Sequence, residues 1–171
     1  MAPPRDCPCH SKARYSACCA PFHKGERIPE TAGVLMRSRY AAFALGLGQY
    51  LVDTLAADHP DRRTDPTEMG SSRRAQRFMD LCILHESVPA ADPTATAAQV
   101  LFYARLFERG VDHSFLELSD FVREEGAWRY VRGALAPASA APGDPRALTL
   151  EGFREVHARF EEAAPKASPD C

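Results

Sequence analysis

The segment HSFLELSDFVREEGAWRYVRG, residues 113–133, decides the fold that this sequence predicts. Apolar and polar residues alternate along it on both sides of the dipeptide at 125–126, which is the pattern of two strands joined by a tight turn. A two-residue turn at that place sets the register of the hairpin. The opposed pairs that it predicts are Phe121 with Tyr130 and Arg123 with Trp128.

Alternation along the two strands makes both faces of the hairpin substantially apolar. One face takes His113, Phe115, Glu117, Ser119, Phe121, Trp128 and Tyr130. The other face takes Leu116, Leu118, Val122 and Val131. A sheet that is apolar on both sides needs a cover on each. We expect the amphipathic helices that precede the sheet to cover one side.

Two further alternating runs, CILHESV at 82–88 and QVLFYARLFE at 99–108, come before the hairpin. Four such runs joined by short loops predict a curved antiparallel sheet. Residues 59–72 predict a polar loop in which Asp65 and Pro66 form the cap and first residue of a helical turn. Residues 73–81 predict a short helix.

The segment upstream of that loop predicts two helices. Its apolar residues recur at steps of three and four, at Met36, Tyr40, Phe43, Leu47 and Tyr50. Gly46 and Gly48 predict that the first helix stops near Leu45 and that a second helix follows over 49–56. Three residues lie mostly off the apolar stripe, and we interpret them as a solvated face rather than as an anchor for the N-terminal segment or a partner: Arg37, Ser38 and Arg39.

After the hairpin, residues 134–146 predict a Pro/Ala-rich linker. A final amphipathic helix over 149–163 follows, and we expect it to dock on the body or on a partner. Its apolar stripe consists of Leu150, Phe153, Val156 and Phe160. We expect a disordered tail over 164–171 with a free Cys171, whereas Cys82 is expected to be a small buried side chain.

Four of the six cysteines lie within CPCHSKARYSACC, residues 7–19, with the spacing C-x-C-x8-C-C. Four thiolates so close together form the tetrahedral set that a zinc ion prefers, at about 2.3 Å each. The expected ligands are Cys7, Cys9, Cys18 and Cys19. The eight residues between the two pairs leave room for a short helix that Ser11 caps. We interpret residues 1–28 as a zinc knuckle.

Other interpretations of these cysteines are less favoured. Disulfide bonds need an oxidising compartment, but no apolar signal segment precedes the cysteines. A redox pair is disfavoured because the C-x-x-C spacing is absent. A thiolate cage also accepts iron or cuprous ion, and the choice of zinc over these metals stays open. With four thiolate ligands no coordination position is left for water, and the expected role of the metal is structural.

The charge of the chain narrows its class of partner. The formal net charge of −2 gives no general attraction to nucleic acid or to anionic membranes. Residues 1–28 are locally basic, but a zinc tetrathiolate would nearly offset the excess. The charged residues there are Arg5, Lys12, Arg14, Lys24 and Arg27 against Asp6 and Glu26. No apolar run is long enough to span a membrane, and we expect a cytoplasmic protein.

The pattern C-P-C-x-S-x-x-x-Y-x-x-C-C resembles the SEC-C motif, the zinc-binding element at the carboxyl end of the translocase ATPase SecA and in many small bacterial proteins. The ligand positions of the motif fall on the four cysteines, and Pro8, Ser11 and Tyr15 match its usual accompanying residues. The motif usually has glycine where this chain has His10 and Lys12. This departure concerns the conformation of the loop, and it makes His10 an alternative ligand.

A wider resemblance, over residues 5–134, is to the YchJ family. It is carried by LMRSRYAAFALGLGQYL, FYARLF and H-x-x-x-E-x-S-x-F-x-R-x-x-G-x-W-x-Y. The resemblance implies an α+β fold in which a SEC-C motif precedes an NTF2-like cone, a bent antiparallel sheet wrapped around N-terminal helices. The domains are then 1–28, 29–134 and a C-terminal part over 135–171. This chain lacks the second cysteine element that relatives often carry, and Arg132 replaces a common aspartate.

The candidates for chemistry inside such a cone are His113, Glu117 and Ser119. His113 and Glu117 would lie about 13 Å apart along a regular strand, which is too far for a direct acid–base pair. We therefore favour an interpretation in which the three residues hydrogen-bond loops at the rim of the sheet. His85 and Glu86 are a weaker acid–base candidate, and no familiar nucleophile, phosphate-loop or dinucleotide motif is present.

These features favour a non-catalytic adaptor in which a zinc knuckle on an NTF2-like body contacts a protein partner, and a homodimer is a further expectation. The SecA element contacts an export chaperone and the ribosome, so the resemblance implies a macromolecular partner. The modest local charge disfavours nucleic acid. The alternative is a small-molecule-binding protein or enzyme that uses the interior of the cone, with His113 or Glu117 inside a deep pocket and with a perturbed pKa.

Overall fold

The computed structural model of the chain describes residues 5–163, which form an α+β fold. Its helices are α1 (Ala20–His23), α2 (Ala32–Leu45), α3 (Gly48–Asp53), α4 (Pro66–Ser71) and α5 (Leu150–Ala163). Its strands are β1 (Gln76–Glu86), β2 (Ala97–Glu108), β3 (Val111–Asp112), β4 (Phe115–Glu124) and β5 (Ala127–Pro137). The expected tail over 164–171, with Cys171, lies outside the described residues.

The β4–β5 hairpin has the predicted register. Its opposed pairs include Phe121 with Tyr130 and Arg123 with Trp128. Both turn residues have positive φ, 50° at Glu125 and 80° at Gly126, as a two-residue hairpin turn requires. Phe121 and Trp128 are buried in the same core cluster, which confirms this part of the predicted inner face, whereas His113 lies outside it in an exposed loop.

The sheet is antiparallel with the order β1-β2-β4-β5, and the short β3 pairs with β2. The predicted helix over 73–81 is wrong, because β1 begins at Gln76 and pairs with β2 along its length. Phe78 turns inward and packs edge-on against Tyr40, with ring centroids 5.1 Å apart. Cross-strand pairing and this contact with α2 outweigh the local helical pattern.

Helix α2 ends at Leu45, as predicted, because Gly46 adopts the left-handed conformation with φ 69°. At its other end the Thr31 hydroxyl caps the first turn. The same turn is also held by the carboxylate of Glu86, which accepts a hydrogen bond from the backbone N–H of Gly33 at 2.7 Å. Glu86 therefore anchors a helix terminus to the sheet, which gives this residue a structural role.

The sheet curves around α2. This helix contacts β1 and β5, which are the two edge strands, as well as β2 between them. Edge strands of a flat four-stranded sheet lie about 14 Å apart, so a single helix touches both only when the sheet bends. The core between helix and sheet includes Leu35, Met36, Tyr40, Val100, Phe102, Leu106, Phe121 and Trp128.

Helix α5 covers the other face of the sheet, as expected for a sheet that is apolar on both sides. Phe153 and Val156 are buried there against Leu101, Tyr103 and Leu116. Phe160, from the same predicted stripe, is 42% exposed. The predicted linker over 134–146 is wrong at its start, because β5 continues to Pro137 and residues 136 and 138 are buried under α5.

The polar segment over 59–72 contains two short helical turns, α4 and a 3-10 turn at Pro60–Arg63. Asp65 caps α4 by accepting from the N–H groups of Thr67 and Glu68, and Pro66 is its first residue, as predicted. Within residues 5–163, no helix combines the length and the apolar character that crossing a membrane requires.

Candidate functional site

The four N-terminal cysteines come together in one cluster. Their sulfur atoms all lie within 4.8 Å of one another. Two of the separations are 3.6 Å, from Cys9 Sγ to Cys18 Sγ, and 3.9 Å, from Cys18 Sγ to Cys19 Sγ. A tetrahedron with metal–sulfur bonds of about 2.3 Å has sulfur–sulfur edges of about 3.8 Å. The donor set and its spacing therefore fit a tetrahedral thiophilic metal ion.

The chain presents the cysteines from a tight loop and a helix end. Cys7 and Cys9 lie in a loop closed by a hydrogen bond from the Cys7 N–H to the Ala13 carbonyl, at 2.9 Å. Cys18 follows a 3-10 turn at Tyr15–Ala17, and Cys19 is the N-cap of α1. The predicted helix between the two pairs is reduced to that single turn, because the loop returns the chain within a few residues.

Ser11 does not cap a helix, since the turn begins after it and shows no side-chain cap. Its hydroxyl lies 3.2 Å from Cys18 Sγ instead, as a partner for the sulfur. His10 and Lys12 both adopt positive φ, 58° and 66°. The loop thus keeps at these two positions a conformation that glycine adopts most easily. The exposed His10 packs edge-on against Tyr40, and it is not one of the four clustered donors.

Hydrogen bonds between the cysteine side chains shift the pKa values of neighbouring thiols in opposite directions. Hydrogen bonding from Cys7 and then Cys9, followed by burial, raises the pKa of the Cys19 thiol far above its ordinary value. Hydrogen bonds from Cys19 and then Cys7 lower the pKa of Cys9. A bound cation would stabilise all four thiolates and displace the remaining protons.

The knuckle is joined to the body through α2. The Nε2–H group of His23 donates to the Ser38 carbonyl at 2.8 Å, and its Nδ1 accepts from the Tyr15 hydroxyl at 2.8 Å. Burial lowers the pKa of His23, which favours the neutral ring that this pair of bonds requires. Arg37 donates to the Cys9 carbonyl at 3.2 Å. The solvated-face interpretation of residues 37–39 is therefore wrong, and an arginine does anchor the knuckle.

Part of the basic charge of the knuckle is paired on its own surface. Lys24 lies 3.7 Å from Glu26, and Arg27 lies 3.1 Å from Glu30. The exposed basic side chains near the cysteine loop are Arg5, Lys12 and Arg14. Of these three residues, Arg14 forms a backbone bridge with Asp6. We call these three exposed basic residues, which lie beside the exposed Asp6, the knuckle surface.

A second candidate site is a cavity of about 250 Å³ between α2 and the concave face of the sheet. Most of its walls are apolar or aromatic: Met36, Tyr40, Phe43, Leu55, Met69, Phe78, Phe102, Leu106 and Phe115. Its polar lining residues are Arg39, His59, Asp61, Arg73, Glu117 and Tyr130. A concave apolar pocket with a few convergent polar groups is the usual form of a small-molecule site.

Glu117 lies inside this cavity, contrary to the expectation that it binds a loop at the rim. Its Oε1 accepts hydrogen bonds from the Ser119 hydroxyl at 2.6 Å and from the Tyr130 hydroxyl at 2.9 Å. Burial raises the pKa of Glu117, and the hydrogen bonds from Ser119 and Tyr130 oppose this change. A buried carboxyl group held by two hydroxyls is well placed to bind a ligand or a proton.

Arg39 is the deepest charged residue of the cavity and is only 4% exposed. Its Nη1 donates to the Leu51 carbonyl at 2.8 Å and to the Thr54 hydroxyl at 2.6 Å. The guanidinium lies over the ring of Tyr130, with its carbon 4.9 Å from the centroid. Burial lowers the pKa of Arg39 to about 10, so the group stays charged at neutral pH.

His113 is not brought together with Glu117 and Ser119. It is exposed in the loop between β3 and β4, where it lines a surface depression with Arg105 and Arg146 rather than the cavity. His85 and Glu86 form no acid–base pair, because Glu86 holds the start of α2. Cys82 is half-buried against the core beneath α5.

The sequence interpretation missed Arg39, Tyr130, Arg73 and His23. A weak signal was present for Arg39, which lies four residues before Phe43 and so shares a helix face with it. The guanidinium carbon is 5.9 Å from the Phe43 ring centroid. For His23 the sequence carried no signal, since a histidine next to lysine and glycine reads as a polar linker.

Comparison with known proteins assigns these parts to one family. A family model described as "YchJ, middle NTF2-like domain" matches residues 31–133. A UPF0225 protein of Corynebacterium glutamicum is 40% identical over 128 residues, which cover 74% of this chain and 94% of the relative. A UPF0225 protein of Ralstonia nicotianae is 38% identical over 143 residues, which cover 78% of this chain and 94% of the relative.

Two solved structures share the fold. The solution structure of a SEC-C motif containing protein from Rhodopseudomonas palustris has a TM-score of 0.63 at 30% identity, covering 75% of this chain and 96% of that one. The crystal structure of a SEC-C motif containing protein from Psychrobacter arcticus has a TM-score of 0.61 at 24% identity, covering 75% and 81%. The chain belongs to the UPF0225 family of YchJ-like proteins, with an NTF2-like middle domain behind an N-terminal four-cysteine cluster.

Proposed function

We propose that this protein is a non-catalytic adaptor whose zinc-bound knuckle contacts a macromolecular partner. The observation that carries the proposal is the four-sulfur cluster, in which Cys7, Cys9 and Cys19 are buried and the sulfurs have tetrahedral spacing. Zinc held by four thiolates has no open position for water or substrate. The metal then holds structure and performs no chemistry.

The expected partner is a protein with an acidic surface. The knuckle surface offers Arg5, Lys12 and Arg14, all exposed. Zinc supports this surface, because the same loop supplies Cys7 and Cys9 and has two residues at positive φ. Loss of the metal would release the loop and disperse the three charges. Recognition is therefore expected to depend on the metal and to weaken with salt.

The test uses the full chain as bait in a pull-down, with and without a thiol-competent zinc chelator. A partner should be captured by the metal-loaded chain and released by the chelator. A variant in which Lys12→Glu and Arg14→Glu are combined should lose it. A matched control, Lys24→Glu, reverses the charge of a side chain that is paired with Glu26 and should retain it. Capture that is indifferent to chelator and to the charge reversals contradicts the proposal.

A second function is favoured by a separate observation, the cavity that holds Glu117 and Arg39 beneath α2. In this alternative the NTF2-like domain binds a small molecule, with Glu117 as a polar anchor. Thermal-shift screening of metabolites tests it. Stabilisation by a ligand should weaken in Glu117→Gln and persist in His113→Ala, because His113 lies outside the cavity. Equal effects of the two variants contradict a site at Glu117.

A further inference from the structure

The cavity contains a cation without an anionic partner. Among the described residues, no carboxylate lies within ion-pair distance of Arg39, although only 4% of this residue is exposed. Glu117 shares the cavity but uses its Oε1 to accept from Ser119 and Tyr130. A charged group taken out of water without a partner is destabilising. The stacking of the guanidinium on Tyr130 offsets only part of that cost.

One edge of the Arg39 guanidinium is free. Both hydrogen bonds recorded for this side chain leave from Nη1, toward Leu51 and Thr54. Within residues 5–163, Nε and Nη2 donate to no acceptor, and neither atom is fully buried, on a side chain that lines the cavity. Nε and Nη2 point two parallel N–H groups in one direction. This fork matches the two oxygens of a carboxylate.

The rest of the cavity lining limits the size and polarity of the group to which that carboxylate is attached. Phe43, Phe78, Phe102 and Phe115 form much of the wall, together with Leu106, and the volume of about 250 Å³ admits only a small molecule. Burial favours the neutral form of the Glu117 carboxyl, which does not repel a singly charged anion.

We infer that the cavity binds a small monocarboxylate with an apolar or aromatic body, and that the free Nε and Nη2 edge of Arg39 holds its carboxylate. The inference rests on the second proposed function and names its class of ligand. Arg73 lines the same cavity, with its guanidinium carbon 5.4 Å from the Phe43 centroid and 5.7 Å from that of Phe115. Being half-exposed, it supplies attraction for an entering anion rather than a buried contact.

The experiment titrates the full chain with three carboxylates, namely hexanoate, benzoate and 3-phenylpropanoate, and with the alcohols of matching shape. Calorimetry gives the affinities, and the ¹H–¹⁵N resonance of the Arg39 Nε–H group, assigned from Arg39→Lys, reports the contact. At least one carboxylate should bind about 10- to 100-fold more tightly than its alcohol, as expected for a bidentate charge-assisted pair. The same ligand should shift the Arg39 resonance.

Arg39→Lys keeps the charge and removes the fork, and it should lower carboxylate affinity by about 10-fold or more. The matched control is Arg62→Lys, because Arg62 also donates to a carbonyl of the α3 segment, that of Val52, but does not line the cavity. Met69→Trp narrows the cavity without touching Arg39, and it should abolish binding even if Arg39→Lys fails to fold.

The outcomes separate the two hypotheses. If the alcohols bind as tightly as the carboxylates, or if the Arg39 resonance does not move at saturation, the carboxylate inference is overturned while a small-molecule cavity stands. If none of the six probes binds at up to about 10 mM, a concentration that would reveal even weak sites, the carboxylate inference is overturned, and the second proposed function is then decided by the metabolite screen alone.

Discussion

The imidazole Nε2 of His23 lies 2.8 Å from the backbone carbonyl oxygen of Ser38, and this hydrogen bond joins the knuckle to helix α2. The ring is half-buried, and its other nitrogen accepts from Tyr15. The knuckle is thus a fixed part of the molecule. Its orientation relative to the NTF2-like domain is set by a residue outside the four-cysteine set.

Replacing His23 should loosen this junction. His23→Ala removes two partly buried hydrogen bonds, which predicts a loss of about 1–3 kcal/mol in the free energy of unfolding. Denaturant unfolding monitored by circular dichroism measures it. The control is His10→Ala, because His10 is exposed and should change stability by less than about 1 kcal/mol. Equal stability of the His23 variant and the parent would contradict a joining role.

Removing one sulfur should remove the metal. Cys18→Ser should lower zinc affinity by more than about 100-fold, since losing a group that only hydrogen-bonds to a metal ligand already costs about 10–100-fold. Cys82→Ser, which changes a cysteine beneath α5, should leave metal content unchanged. Elemental analysis of chains purified without chelator gives the stoichiometry. Parent protein purified in this way without a bound metal would contradict the proposed zinc centre.

The metal-bound chain should be more stable with glycine than with lysine at position 12. Lys12 has φ 66°, where a side chain costs about 1–2 kcal/mol, whereas glycine pays only about 0.5–1 kcal/mol of extra chain entropy. Lys12→Gly should therefore stabilise the metal-bound chain by up to about 1 kcal/mol. Lys24 has φ −88°, and Lys24→Gly should destabilise it instead. Thermal unfolding of both variants checks the opposite signs.

The packing of helix α5 against the sheet should depend on Phe153 and hardly at all on Phe160. The Phe153 side chain is 1% exposed against β2 and β4, and Phe153→Ala should cost about 3–5 kcal/mol. Phe160→Ala should cost less than about 1 kcal/mol. Hydrogen exchange should show faster exchange across α5 in the first variant alone. Unchanged protection of α5 in Phe153→Ala would show that another contact holds the helix.

The buried carboxyl of Glu117 should make stability depend on pH. Its pKa in the folded protein is raised above the ordinary value of 4.5, chiefly by burial. The protonated group favours folding below that value, and this contribution is lost as the pH rises through the folded pKa. Glu117→Gln should remove this loss, because glutamine keeps an acceptor for Ser119 and Tyr130. Denaturation midpoints between about pH 4.5 and 8 measure it, with the exposed Glu162→Gln as control.

Local rules predicted the hairpin and the end of α2. The turn at 125–126 fixes the register because two residues with positive φ leave few alternatives, and Gly46 ends a helix by the same freedom. Where the predicted secondary structure was wrong, long-range contacts determined the structure instead. Residues 76–81 join the sheet because β2 lies beside them, and residues 136 and 138 are buried because α5 returns over them.

The candidate sites divide in the same way. The cysteine cluster was predictable because its members are close in the sequence and share one chemistry. The cavity was only partly predictable: Glu117 was named from its strand face, while Arg39 was assigned to solvent and His113 to the wrong place. Whether a helical arginine faces water or a concave sheet depends on how far the sheet bends, and spacing along the chain carries no record of that.

Residues 37, 38 and 39 are consecutive, yet two of them hold the four-cysteine segment and the third lines the cavity. A random mutagenesis screen for loss of function would return this one helical turn more often than its length suggests. Each such hit would mix two phenotypes. Genetic dissection should therefore begin at His23 and Glu117, because a substitution of His23 affects the knuckle and a substitution of Glu117 affects the cavity.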